Sequence, residues 1–277
     1  MTRKRRKLRV GRIFIILFVL LLIPFGVALR NRIKENQFHQ DIVEEETATL
    51  HNYNWANLTN NNGIFHYEDE NYTSTFGIDV SYAQGDINWQ LVKESGVEFA
   101  FIRAAVRGYK YGELSEDTYF RYNIEEALKN NIHVGVYIFS QSISEQEAIE
   151  DARYVVNLLQ RHSVNCPIVF DMERVTDEDR IKDLSVSELT KVAYAFCHEV
   201  KRLGYEPIIY GSDYWLNEEI LVSYLQDECK FWLAHYGVDN PSFIYELELW
   251  QYSSEGTIDG IETPVDLNIW FKKKKAD

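Results

Sequence analysis

From Phe76 to Trp270 the chain repeats one pattern: a short apolar, β-branched run, then a segment of helical periodicity, then another run. That alternation reads as successive parallel βα units. The strand-like runs are 76–80 (FGIDV), 98–105 (EFAFIRAA), 133–140 (HVGVYIFS), 167–172 (PIVFDM) and 207–211 (PIIYG), followed by 230–236 (KFWLAHY), 247–252 (LELWQY) and 265–270 (VDLNIW). Helical patterns cover 88–95, 116–130, 144–161, 185–203 and 213–226. Ser144 with Glu147 and Ser185 with Glu188 carry capping-box spacing, and Gly204 stands where a helix ends. Eight strands with a helix after each of the first five predict an α/β fold, an incomplete TIM-like (β/α)5β3 barrel. The last two connections are too short for a crossover helix, so the closing strands are expected to be joined by loops and to pair antiparallel.

Working residues of such barrels sit at the C-terminal ends of the strands. Four acids stand at strand ends where a core would not tolerate them: Asp79 in GIDVS, Asp171 and Glu173 in PIVFDMER, and Asp266 in VDLNIW. Residues two apart on a strand share a face, so Asp171 and Glu173 are expected to point the same way. Crowding and burial would raise one of the two pKa values and keep a proton available near neutrality. Glycosidic cleavage needs that arrangement, an acid for the leaving oxygen beside a second anionic group. The alternatives are an aspartate serving as a helix N-cap, a salt bridge to Arg103, Arg107 or Arg174, and a metal site built from the same acids. Spacing alone leaves them open. Aromatics crowd the same rim: Tyr137, Phe139, Tyr210, Trp232, Tyr236, Trp250 and Tyr252. Those nearest the strand ends would line a cleft suited to a sugar chain.

Charge narrows the partners. Lys and Arg total 29 against 43 Asp and Glu, a net −14, yet residues 1–34 hold ten basic residues and no acidic one. A domain that acidic is not expected to bind nucleic acid by bulk attraction. Cys166, Cys197 and Cys229 lack the spacing of a disulfide framework or a zinc site and read as buried small apolar residues. Residues 13–29 (IFIILFVLLLIPFGVAL) form an uncharged run with seven basic residues before it. It reads as a short transmembrane signal-anchor, N-terminus inside, which would place the protein single-pass in a bacterial cytoplasmic membrane with the domain extracytoplasmic. The expected organisation is a basic tail (1–12), this span, a polar linker and domain-edge segment (30–75), the barrel (76–271) and a basic end (272–277).

At FGIDVSYAQGDINW (76–89), FAFIRAAVRGY (99–109), HVGVYIFSQSIS (133–144), CPIVFDMER (166–174), IIYGSDYW (208–215) and LWQYSSEGTIDGIETPVDLNIW (249–270) the sequence resembles glycoside hydrolase family 25, the Chalaropsis-type lysozymes. The resemblance implies a muramidase cutting the β-1,4 bond between N-acetylmuramic acid and N-acetylglucosamine in peptidoglycan, without metal or other cofactor. It implies Glu173 as general acid/base and Asp171 as the residue orienting the substrate's N-acetyl group in a retaining, substrate-assisted route. Asp79 and Asp266 would complete the acidic floor. Tyr137, Tyr210, Trp250, Gln251 and Arg103 would contact substrate. Ile138 departs from the family, in which many members carry His, and a sugar contact there is expected to be missing. A catalytically inactive wall-binding barrel would keep the aromatics but lose the acids. A chitinase-like enzyme would carry a longer acidic motif before Asp171, and a metal-dependent phosphodiesterase would add His ligands.

Overall fold

The computed structural model describes residues 49–160, 162, 166–176 and 178–274. Its elements are β1 (Leu58–Asn61), β2 (Ile64–Tyr67), β3 (Tyr72–Val80), α1 (Trp89–Glu94), β4 (Phe99–Arg107), β5 (Leu114–Glu116), α2 (Phe120–Lys129), β6 (His133–Ser140), α3 (Glu145–Gln160) and β7 (Ile168–Asp171). There follow α4 (Val186–Arg202), β8 (Pro207–Ser212), a π-helical turn (Trp215–Glu219), α5 (Val222–Leu225), β9 (Lys230–Ala234), β10 (Leu249–Gly256) and β11 (Val265–Lys273). Pairing runs β3–β4–β6–β7–β8–β9–β10–β11, and β11 returns to β3. The result is an eight-stranded barrel with β5 folded back on the edge of β4.

The five helices follow the first five barrel strands, and the last three strands have none. Antiparallel closure is confined to β11, which opposes both β10 and β3, whereas β9 and β10 run parallel. The residues 235–248 make that parallel crossover without a helix. Their Phe243 and Leu247 are buried and cover the strands as a helix would. Local signals explain the helix starts. Ser185 and Glu188 make a full capping box, while Ser144 Oγ accepts from Glu147 N (3.3 Å) but the Glu147 carboxylate turns to Ile143 N and Arg180. The helix expected over 213–226 breaks into the π turn and the short α5.

Two apolar layers hold the barrel. One lies between strands and helices, and the other fills the interior with Phe99, Phe101, Val169, Ile208, Trp232, Leu249 and Trp270. Phe101 packs 4.7 Å from Trp232 and 5.7 Å from Trp270, centroid to centroid. Such rings fit because the neighbouring strands carry glycine. A Cβ at Gly77 would stand 2.5 Å from the Phe99 ring, and one at Gly135 only 2.1 Å from Phe101.

Residues 49–75, read above as linker and edge, contain the β1–β2 hairpin, which turns through Asn62 and Gly63 at φ 54° and 88°. Asn-Gly is the pair that a two-residue hairpin turn of this kind requires. Tyr53 packs 4.6 Å from Phe271 and donates to Leu247 O (2.8 Å), so this segment covers the N-terminal pole of the barrel. All three cysteines are buried and unbridged.

The expected membrane span over 13–29 lies outside the described residues. Among the described residues no helix is long and apolar enough to cross a membrane. The longest, α3 and α4, have 16 and 17 residues and carry charged faces. The single-pass membrane localisation expected from the sequence is corrected on that finding.

Candidate active site

Barrel closure sets Asp79 of β3 directly opposite Asp266 of β11. Two like charges so placed repel unless a proton joins them. Asp79 has a fixed environment: its Oδ2 accepts from Gln251 Nε2 and Asn268 Nδ2, each at 2.7 Å, and its carboxyl hydrogen-bonds to Asp266. Burial and the Asp266 charge raise the Asp79 pKa well above the carboxylate range, and burial brings Asp266 to about 6. The pair therefore holds one proton between its two oxygens until the solution is well above acid pH.

The amides are themselves positioned. Gln251 Oε1 accepts from Tyr210 OH (2.8 Å) and from Tyr236 OH, which orients its amide toward Asp79. Asn268 Oδ1 accepts from the buried Trp232 Nε1 at 2.8 Å. Burial and the surrounding carboxylates keep Tyr137 and Tyr210 protonated.

Across the barrel mouth, β7 ends at Asp171, and Glu173 lies two residues on, in irregular chain. Both side chains line one pocket of about 160 Å³ with Asp79, Asp266, Tyr137, Tyr210, Trp232, Tyr236 and Gln251. Burial pushes Glu173 up to about 7. Asp171 is raised well above its ordinary range by burial, then by Glu173 and Asp79, with Arg103 opposing. One Asp171 oxygen, Oδ1, is buried without a partner and is free to accept from a ligand. The two carboxyls titrate as a pair that retains a proton at neutral pH.

The arginines do not quench these acids. Arg103 pairs with Asp117 (2.8 Å), Arg107 with Asp151 (2.7 Å), and Arg174 with Glu219. Among the described residues, none of the four site acids forms a salt bridge with a lysine or arginine. No cluster of three or more His, Cys, Asp or Glu among the described residues is arranged to hold a metal ion.

The structure brings together Asp79, Asp171, Glu173, Asp266, Tyr137, Tyr210 and Gln251. It places Arg103 beside the pocket, clamped by Asp117 and lying 4.8 Å beneath the exposed Tyr82 ring. Trp250 is a correction. It stands immediately before Gln251 in the alternation of β10, so it faces outward, packs on Phe65 (5.1 Å) and donates to His235 O (2.8 Å). Tyr252 faces outward with it, 4.8 Å from Phe65. Ile138 is likewise fully buried in the outer layer, so a histidine at that position would face the helices and not the pocket. Asn268 was missed, although its spacing two residues beyond Asp266 on one strand was a signal that both face inward. Exposed Tyr82, Tyr109, Tyr111 and Tyr214 were also missed; they follow the C-terminal ends of barrel strands, Tyr82 in a 3-10 turn, Tyr109 and Tyr111 between β4 and β5, and Tyr214 in the helical turn after β8.

Comparison with known proteins supplies the family. The model of Glycosyl hydrolases family 25 matches residues 78–261. Protein YegX of Escherichia coli is 35% identical over 204 residues, 70% of this chain and 68% of YegX. Lysozyme M1 of Streptomyces globisporus is 30% identical over 200 residues, 69% of this chain and 66% of the lysozyme. The crystal structure of the bacterial lysozyme from Streptomyces coelicolor superposes with a TM-score of 0.59 at 28% identity, over 70% of this chain and 90% of that one. With its four acids at the mouth of a barrel closed by one antiparallel strand, the chain belongs to glycosyl hydrolases family 25.

Proposed function

We propose that this chain is a muramidase that cleaves the β-1,4 bond between N-acetylmuramic acid and N-acetylglucosamine in peptidoglycan, in the remodelling of cell wall. The observation that carries the reading is the Asp171–Glu173 pair, the first buried and the second half-buried in one pocket at the barrel mouth, with Glu173 raised to about 7. A carboxyl that keeps its proton at neutral pH can protonate the glycosidic oxygen as the bond to C1 breaks. The developing oxocarbenium charge lies over a pocket floor whose other acids are held by fixed hydrogen bonds. Asp171, with its unpartnered Oδ1, accepts from the N–H of the substrate's N-acetyl group and turns that group's carbonyl oxygen toward C1. Attack by that oxygen closes a cyclic intermediate. Glu173, now an anion, deprotonates the water that opens it, and two displacements at C1 retain its configuration. The exposed Tyr82, Tyr109 and Tyr236 around the pocket offer flat faces for neighbouring sugars. Lysozyme relatives support the same substrate class.

The test compares the full-length chain with its Glu173→Gln variant on purified peptidoglycan, reading products by borohydride reduction and mass spectrometry. New reducing ends on muramic acid, absent with the variant, are expected. A folded wild-type chain that releases no product would remove the enzymatic reading, and reducing ends on glucosamine would change the bond assigned.

A further inference from the structure

Glu173 is followed at once by an arginine, and a general acid beside a guanidinium would ordinarily surrender its proton. The structure keeps the two apart. Arg174 Nη1 pairs with the buried Glu219, its Nη2 donates to Leu184 O (2.9 Å), and its guanidinium carbon lies 5.8 Å from the Trp215 ring centroid. Trp215 and Glu219 begin and end the π-helical turn after β8, and Tyr214 adds a hydrogen bond to Glu219. A π turn is an irregularity that commonly marks a functional position. On the other side, Gln141 Nε2 donates to Glu173 O (2.9 Å), which fixes the backbone of the acid independently of the arginine.

We propose that Glu219 is a positioning residue, whose ion pair holds the Arg174 guanidinium on Trp215 and away from the adjoining Glu173 carboxyl. The proposal rests on the reading of Glu173 as the general acid. The groups that face Glu173 are Asp171 on β7, Tyr210 on β8, Tyr236 after β9 and Tyr109 in the loop between β4 and β5. Asp79, Asp266 and Tyr137 complete the pocket. The cation acting on Asp171 is Arg103, which Asp117 already engages through two of its nitrogens. Release of Arg174 would therefore introduce an uncompensated positive charge beside the acid.

Full-length chains carrying Glu219→Gln, Arg174→Met, or both, are followed in two ways. One readout is the pH profile of peptidoglycan cleavage. The other is the 13C carboxyl titration of Glu173, assigned by its loss in Glu173→Gln. In Glu219→Gln both the basic limb of the profile and the Glu173 midpoint are expected to fall by about one pH unit. Activity above that limb would then drop about tenfold. The double variant, which removes the freed charge, is expected to return both to the wild-type position, and Arg174→Met alone to leave them there. Unchanged midpoints in Glu219→Gln, or a double variant that stays shifted, would overturn the proposal. Should Glu219→Gln fail to fold, Glu219→Asp is expected to shift the midpoint the same way by a smaller amount, and no shift would count against it. A chain that cleaves nothing sinks the muramidase reading alone, because the Glu173 titration still decides whether Arg174 is held away.

Discussion

At the scale of single residues, the site depends on carboxyl groups that are worse placed for folding than for chemistry. Glu173 carries a folded pKa of about 7, above its ordinary 4.5. Between those values the native state binds more protons than the unfolded one, so this group favours the fold at low pH. That contribution is lost as pH rises through 7. Glu173→Gln should therefore abolish cleavage and yet stabilise the chain by about 2 kcal/mol at pH 8, with no gain at pH 4. Urea unfolding at the two pH values checks this, and equal stability of variant and wild type at pH 8 would contradict the burial argument. The same sign governs catalysis. Activity requires protonated Glu173 and should fall tenfold per pH unit above about 7, in a profile read at constant ionic strength. Asn268 makes a third case, since it joins Asp79 to Trp232. Asn268→Ala leaves a buried indole N–H without a partner and should cost about 2 kcal/mol in a denaturant titration. The acids were legible in sequence because carboxylates at strand ends stand out from apolar runs. Trp250 was misread because two adjacent residues of one strand were both assigned to the cleft. Gln251 faces the pocket, and alternation sends its neighbour outward.

Among the elements, strands were easier to read than their connections. A strand buried on both faces shows as a largely apolar run, and the barrel strands were read from such runs even where Arg103, Glu248, Gln251, Asp266 or Asn268 interrupts them. The β4–β5 hairpin was hidden, because LSE at 114–116, which pairs with 105–107, is too short to show an apolar alternation. The break in the helix over 213–226 was hidden for a different reason. The π turn is set by Glu219 reaching Arg174 and by Trp215 covering it, which are tertiary contacts that periodicity does not encode. The parallel run of β9 beside β10 was hidden because the loop residues Phe243 and Leu247 do the covering normally done by a helix. Glycine placement, by contrast, decides the interior. Gly135→Ala would drive a methyl into the Phe101 ring, two residues from Tyr137 in the pocket. It should lower stability by about 2 kcal/mol and reduce cleavage, and Phe101→Leu in the same chain should recover part of both. Thermal unfolding of the single and double variants tests the pairing; additive losses would mean that the ring and the methyl do not meet.

For the whole molecule, the barrel is closed at its two poles by different materials. The C-terminal pole is polar and carries the carboxylates, whereas the N-terminal pole is sealed by aromatic side chains from residues 49–75. Tyr53, Tyr67 and Tyr72 are buried there against Phe271 and one another. Composition concealed this seal: the segment is rich in Asn, and Tyr53 and Tyr67 have hydroxyls satisfied at Leu247 O and Asp69, so a polar stretch packs as core. The seal also continues the sheet, because Tyr72, Thr73, Ser74 and Thr75 extend β3 along the last residues of β11. A chain beginning at residue 76, where the regular alternation starts, would lose these pairings and the burial of three tyrosines, and would bare Phe271. At about 1.5 kcal/mol or more for each buried aromatic, it should unfold roughly 10 °C below a chain beginning at residue 49. The four acids lie at the opposite pole, so whatever fraction remains folded should cleave peptidoglycan with an unchanged pH profile. Calorimetry of the two chains, with activity measured well below both transitions, separates these statements. Equal melting temperatures would reduce residues 49–75 to a linker, and a shifted pH profile would mean that the two poles are coupled through the aromatic interior.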